Sequence, residues 1–259
     1  MSRALHAEWT KLRTLPGTGW LLLGVVAVTV IAGATVSASL SCTSSAGCHP
    51  DLTRLSLTGT DLGQAVVAIV AVLAAGGEYA TGMIATTLSA MPRRTTMLAA
   101  KAAVVTAVTL AAGTAAVLGS VLAGWLILPG QGYTPANGYP ALSLADGTVL
   151  RAAAGTVLYL VLIALLSLGV ATAMRDSAVA IGSVLGLLYL FPIFAQVAGS
   201  PGVARHLQQI GPMTAGLEIQ VSTGLRHPPI GPWAGLGVLA AWAAAALLAG
   251  TLVLRVRDA

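Results

Sequence analysis

Few residues of this 259-residue chain are of types that do chemistry, and their spacing excludes more than it admits. Neither Lys11 nor Lys101 follows a glycine and no Gly-x-x-x-x-Gly-Lys pattern occurs, so the chain has no phosphate-cradling loop and should not hydrolyse ATP by itself. It has no Gly-x-Ser-x-Gly elbow and no His-Glu-x-x-His pair, which argues against an enzyme and leaves no catalytic residue to name. The only cysteines, Cys42 and Cys48, sit close together in one polar stretch; even with His49 and Asp51 nearby they lack a metal-site spacing. A disulfide or two free thiols are the states open to them. The richest stretch runs from Glu78 to Lys101, a polar interruption that gathers cations between two apolar runs. Within it Gly82 permits a change of direction, Met83, Ile84 and Leu88 make a short apolar edge, and Pro92 stops the turn before Arg93 and Arg94. This pattern suits a short helix lying across two membrane spans, and it also suits an ordinary solvated loop.

The elements that must position these residues follow from composition. Hydrophobic residues make up 56% of the chain and charged ones 8%, against roughly a quarter charged in soluble domains. The class is all-α integral membrane. A span needs about 20 apolar residues, and six runs supply them: 19–40, 62–77, 102–128, 152–173, 178–197 and 233–254, in a single transmembrane domain over 1–259. Transmembrane strands would alternate in segments of about ten, so the spans are helices. The second run is the shortest, and Gly76-Gly77 before Glu78 suggests a bend or break there. Ion-driven carriers place ionisable groups inside spans; these spans are nearly charge-free, with Glu78 at an inner boundary as the exception. A protein of this kind that moves something needs an external motor.

Orientation follows from the cations. Arg3, Lys11, Arg13, Arg93, Arg94, Lys101, Arg175, Arg255 and Arg257 fall on one side, against Arg54, Arg151, Arg205 and Arg226 on the other. The richer side is expected to be cytoplasmic, which puts both termini inside a multi-pass protein of the cell membrane. The basic balance reflects this asymmetry; no basic stripe with interleaved aromatics suggests nucleic acid. Over 2–15, Leu5, Trp9 and Leu12 recur at helical spacing among cations, which predicts an amphipathic helix on the inner face of the bilayer, ended by Pro16 and Gly17, with a frayed cationic tail as the alternative. Cys42 and Cys48 then lie outside, where disulfides persist, and are expected to pair. The 129–151 connection reads as irregular. Met174 to Ser177 leaves only a tight turn between the fourth and fifth runs. The 199–232 connection carries helical pattern through Val203, Leu207 and Ile210, then Pro212 at a helix start with Met213, Leu217 and Val221, so it should dip against the outer leaflet with Arg205, His206 and Glu218 as solvated surface.

Glu78-Tyr79, Gly82-Met83-Ile84, Leu88, Pro92-Arg93-Arg94 and Lys101 resemble the cytoplasmic segment of ABC-2-type ABC transporter permeases, and Glu8 to Arg13 resembles the amphipathic start of actinobacterial members. The resemblance implies a six-helix permease half that dimerises, as a homodimer or with a related subunit, and binds two copies of a separately encoded ATPase. That ATPase would hold ATP and magnesium, so this chain needs no cofactor or metal of its own. It also implies a coupling helix over Gly82 to Ala90, re-entrant external helices between the fifth and sixth spans, and export of a hydrophobic or amphipathic compound such as a drug, antibiotic, lipid or peptide. The alternative is a membrane anchor or sensor that uses the same fold to relay an ATPase's state without transport.

Overall fold

A computed structural model describes residues 10, 16–41, 50–80, 94–223 and 229–256. Among the described residues the chain forms nine α-helices and no strand: α1 (Pro16–Ser39), α2 (Leu52–Leu57), α3 (Thr60–Ala80), α4 (Arg94–Ile127), α5 (Gly147–Met174), α6 (Ser177–Val197), α7 (Pro201–Ile210), α8 (Pro212–Leu217) and α9 (Pro232–Val256). Six stretches are long and apolar enough to cross a membrane; they fall on α1, α2 with α3, α4, α5, α6 and α9. Large apolar side chains cover the outside of the bundle, among them Trp20, Ile31, Leu122, Trp125 and Leu252, as helices facing lipid require.

The six spans are organised around α5, whose apolar window is 67% buried, against 22% for α1, α6 and α9. Its Tyr159, Leu160, Ile163 and Leu166 meet Val67, Ala68 and Ala71 of α3, Val184 and Leu188 of α6, and Leu236, Leu239 and Ala243 of α9. The most extensive contact is α5 with α9. It depends on small residues. A Cβ on Gly169 would lie 2.5 Å from the backbone carbon of Ala246, and one on Gly250 would lie 2.9 Å from the carbonyl oxygen of Gly169. In α4, Gly113, Ala116 and Gly119 pack inward, with Gly119 opposite Val30 of α1, whereas Ala115 is exposed.

Local chemistry fixes the ends of α5 and α6. Asp146 caps α5 by accepting from Thr148 N at 2.9 Å. Arg175 ends the helix with φ of 60°, a left-handed conformation that glycine usually fills. Asp176 then caps α6, accepting from Val179 N at 2.8 Å. The tight turn expected between these spans is therefore two residues long. Pro192 lies inside α6 and leaves the carbonyl of Leu188 without its helical donor.

Four spans have boundaries that differ from the apolar runs. The second span begins earlier, at Thr60 behind the separate α2, and continues through Gly76 and Gly77 to Ala80 without a break. The glycines are not a hinge: a Cβ on Gly76 would meet Ser177 Oγ at 2.0 Å, so this position admits the neighbouring helix turn. Residues Arg94 to Lys101 belong to α4 rather than to the polar connector. Lys101 is buried and reaches across to α3, donating to the carbonyl of Ala74 at 3.1 Å. The fourth span begins at Gly147, which carries Arg151 inside the helix. Pro16, expected as a breaker, instead opens α1 as a first-turn proline. Connector 129–151 is irregular only up to Asp146, with 3-10 turns at Leu128–Gln131 and Pro135–Asn137 and an edge-to-face Tyr133–Tyr139 pair at 5.2 Å; its last residues, 147–151, are helical.

Candidate functional site

The densest polar construction joins the start of the second span to the connector before the sixth. Asp51 caps α2 by accepting from the backbone N–H groups of Thr53 and Arg54, each at 3.1 Å. The same carboxylate accepts from the backbone N–H and hydroxyl of Ser222 and from Thr223 N at 2.8 Å. Ser222 Oγ also stands 3.0 Å from Thr53 Oγ1. One ionised side chain thus satisfies helix-end donors and main-chain donors that lie 171 and 172 residues further along. Burial works against the charge, but the hydrogen bonds from Ser222, Thr223 and Arg54 outweigh it and hold the Asp51 carboxyl below its ordinary value.

Two arginines secure the same segment. Arg54 faces Glu218 with Nη2 at 3.8 Å from Oε1, the side chains being 51% and 12% exposed. Glu218 is therefore not the solvated surface residue that its sequence context suggested; desolvation pushes its carboxyl up, and the nearby guanidinium offsets only part of that. Arg151, from the second turn of α5, donates to the carbonyl of Val221. The turn Glu218–Gln220 and the following Val221–Thr223 are consequently held from three positions on two spans. Beneath them α8 is buried, with Met213, Ala215, Gly216 and Leu217 packed between α5, α6 and α9. A Cβ on Gly216 would meet the Tyr159 ring at 2.7 Å and one on Gly235 would meet the Ala215 carbonyl at 2.0 Å, so the fit needs glycine on both sides. In contrast, α7 buries no residue; Trp242 of α9 donates to its Ile210 carbonyl at 2.9 Å, and its Arg205 and His206 are exposed as expected.

A hydrogen-bonded set supports this end from within the bundle. Gln64, fully buried in α3, donates to the Asp61 carbonyl at 3.1 Å and contacts the Met213 sulfur at 3.1 Å. Its amide oxygen accepts from the Tyr159 hydroxyl, and the Tyr189 hydroxyl donates to the Asp61 carbonyl. The second, fourth and fifth spans and α8 are therefore joined by directional contacts where apolar packing alone would permit sliding. Between them a cavity of about 580 Å³ carries Arg54, Asp61, Gln196, Gln208, Thr214 and Glu218 on its polar wall. A second cavity of about 350 Å³ lies on the other side of the Asp51 contacts, beside Pro50, Tyr139, Asp146 and Thr223. Among the described residues no group of three or more His, Cys, Asp or Glu could hold a metal ion. The arrangement is suited to binding and to holding one segment in place, since its carboxylate, hydroxyl and main-chain groups bond to one another across the two ends of the contact.

The sequence-predicted site falls elsewhere. Glu78 and Tyr79 lie in the last turn of α3 and Arg94 opens α4, but their side chains are outside the described set. Gly82, Met83, Ile84, Leu88, Pro92 and Arg93 of the expected coupling segment, Leu5, Trp9 and Leu12 of the expected interfacial helix, and Cys42 and Cys48 also lie outside the described residues. Sequence reasoning missed Asp61, Gln64 and Tyr159. It also counted Arg54 and Arg151 only as orientation signals. The available signal was Asp51 directly before an apolar-periodic stretch, a helix-start pattern; nothing local could pair it with Ser222. Comparison with protein-family models and with curated proteins yields no match.

Proposed function

We propose that this chain is the membrane-spanning subunit of an ATP-driven exporter, working as a pair of such subunits with a separately encoded ATPase. The observation that carries the reading is the α7–α8 segment between the fifth and sixth spans, folded back onto the bundle end and anchored by Asp51, Arg54 and Arg151. It matches in kind the external re-entrant helices that the resemblance to ABC-2-type permeases implies. Six candidate spans and the lack of a phosphate loop are consistent with it. In this reading α3 and α4 deliver the segment between Ala80 and Arg94 to the cytoplasmic side, where it docks on the ATPase. Nucleotide-driven movement there is passed along α3 to the outer end. The substrate class is a hydrophobic or amphipathic compound.

The test is reconstitution. Wild type and Met83→Asp are purified with the candidate ATPase in nanodiscs, and retained ATPase and stimulated hydrolysis are compared. A carboxylate buried in a closed contact costs about 1 to 3 kcal/mol, enough to lower partner affinity roughly tenfold. Retention of both partner and stimulation by Met83→Asp would remove the coupling assignment. ATP-dependent flux in proteoliposomes separates an exporter from a relay that moves nothing.

A further inference from the structure

The cavity of about 580 Å³ has a charge balance that its own residues leave open. Two carboxylates and one guanidinium face it: Asp61, Glu218 and Arg54. Arg54 is half exposed and stands 3.8 Å from Glu218, beyond direct hydrogen-bond length, so a competing cation can replace it without breaking a buried bond. Asp61 engages Gln64 and Tyr189 only through its main-chain carbonyl. Its carboxylate has no hydrogen-bond or ion-pair partner among the described residues. The lining also has an apolar part, with Pro192 of α6, Met213 and Leu217 of α8, and Val221. The volume lies in the roughly 300 to 1,000 Å³ range of small-molecule sites.

We propose that this cavity binds a small amphipathic cation, an alkylammonium or aromatic cation whose charge sits between Asp61 and Glu218 and whose apolar body lies against Met213, Leu217 and Pro192. The site does not depend on the ATPase reading. An anion of the same size would bring its charge to two carboxylates in a partly desolvated space, where like charges repel more than in water. A neutral molecule would leave the Asp61 carboxylate unanswered. Arg54 acts in this site as an internal competitor, occupying in part the position that the ligand's charge takes.

The full chain in nanodiscs is titrated with a fluorescent styrylpyridinium cation, with empty nanodiscs as the blank and anilinonaphthalene sulfonate as the anionic counterpart. Wild type is expected to bind the cation saturably and to show no saturable binding of the anion. Asp61→Asn should weaken cation binding roughly tenfold, and Arg54→Gln, which keeps both carboxylates and removes the competitor, should tighten it severalfold. A packing role for Arg54 would give the opposite sign. Gln208→Lys, at a half-buried position on α7, places an ammonium at the rim; it should weaken binding and keeps the test decisive where Asp61→Asn does not assemble. Cation binding no greater than the blank, equal affinity in wild type and Asp61→Asn, or weakening by Arg54→Gln would each overturn the assignment.

Discussion

Asp51 and Glu218 lie in the same segment contact and respond oppositely to it. Asp51 is stabilised as an anion, so Asp51→Ala removes a helix cap and the hold on Ser222 and Thr223 together. The cap alone is worth about 1 kcal/mol, and charge-assisted hydrogen bonds add about 1.5 to 3 kcal/mol; thermal unfolding in detergent should show a loss of at least about 2 kcal/mol, with faster hydrogen exchange over 218–223. Its folded carboxyl lies below the ordinary 3.8, so this contribution is complete above that value and disappears as pH falls through the lowered one. The melting difference between wild type and Asp51→Asn should therefore be constant above about pH 5 and shrink below about pH 4. Glu218 has the opposite sign. Burial raises its carboxyl above 4.5, so ionised Glu218 opposes folding, and protonation as pH falls through the raised value relieves the cost. With Arg54 half exposed and able to return to water, Glu218→Gln should change stability by less than about 0.5 kcal/mol. A loss as large as that of Asp51→Ala would mean that the ion pair, not the carboxylate cap, holds the segment.

Helices α5 and α9 touch backbone to backbone, and this contact should be the least tolerant of added volume. Gly169→Ala places a Cβ 2.5 Å from the Ala246 backbone and should cost about 1 to 3 kcal/mol in thermal unfolding. Gly182→Ala in α6 meets nothing within 4 Å and should be neutral or stabilising by up to about 1 kcal/mol. Equal effects would show that close approach at Gly169 is not required. Elements of this kind were largely legible beforehand, because a run of about 20 apolar residues has few alternatives to a spanning helix. Pro212 likewise marked the start of α8 correctly. The start of the second helix lies earlier than the apolar run because Thr60 is polar yet buried and Asp61 meets the Tyr189 hydroxyl through its main-chain carbonyl; hydropathy cannot detect such surroundings, nor the Tyr159 partner of Gln64 inside the run. The polar contacts at the bundle end were illegible for the same reason. Each joins residues from distant parts of the chain, whereas helix periodicity reports only near neighbours.

At the scale of the whole molecule, three of the described cations fall at two ends of the bundle. Arg54 and Arg151 share one end with Ser222, while Lys101 contacts Ala74 and Ser177 abuts Gly76 at the other. If the second end is cytoplasmic, Ala145→Cys should react with an impermeant maleimide in intact cells and Ala178→Cys only after permeabilisation, in a chain with Cys42 and Cys48 replaced by serine. The reverse pattern would invert the protein. The Asp51 contact also sets a schedule for biosynthesis. Its hydroxyl donor Ser222 lies 171 residues downstream, and at about 5 to 20 residues per second the ribosome needs roughly 9 to 34 s to deliver it. During that interval the start of the second span has been made and its carboxylate can be satisfied only by its own cap and water. The bundle end thus closes late, when the connector before the last span arrives, and a nascent chain stalled before Ser222 would present an open, half-solvated end to the membrane's quality-control machinery.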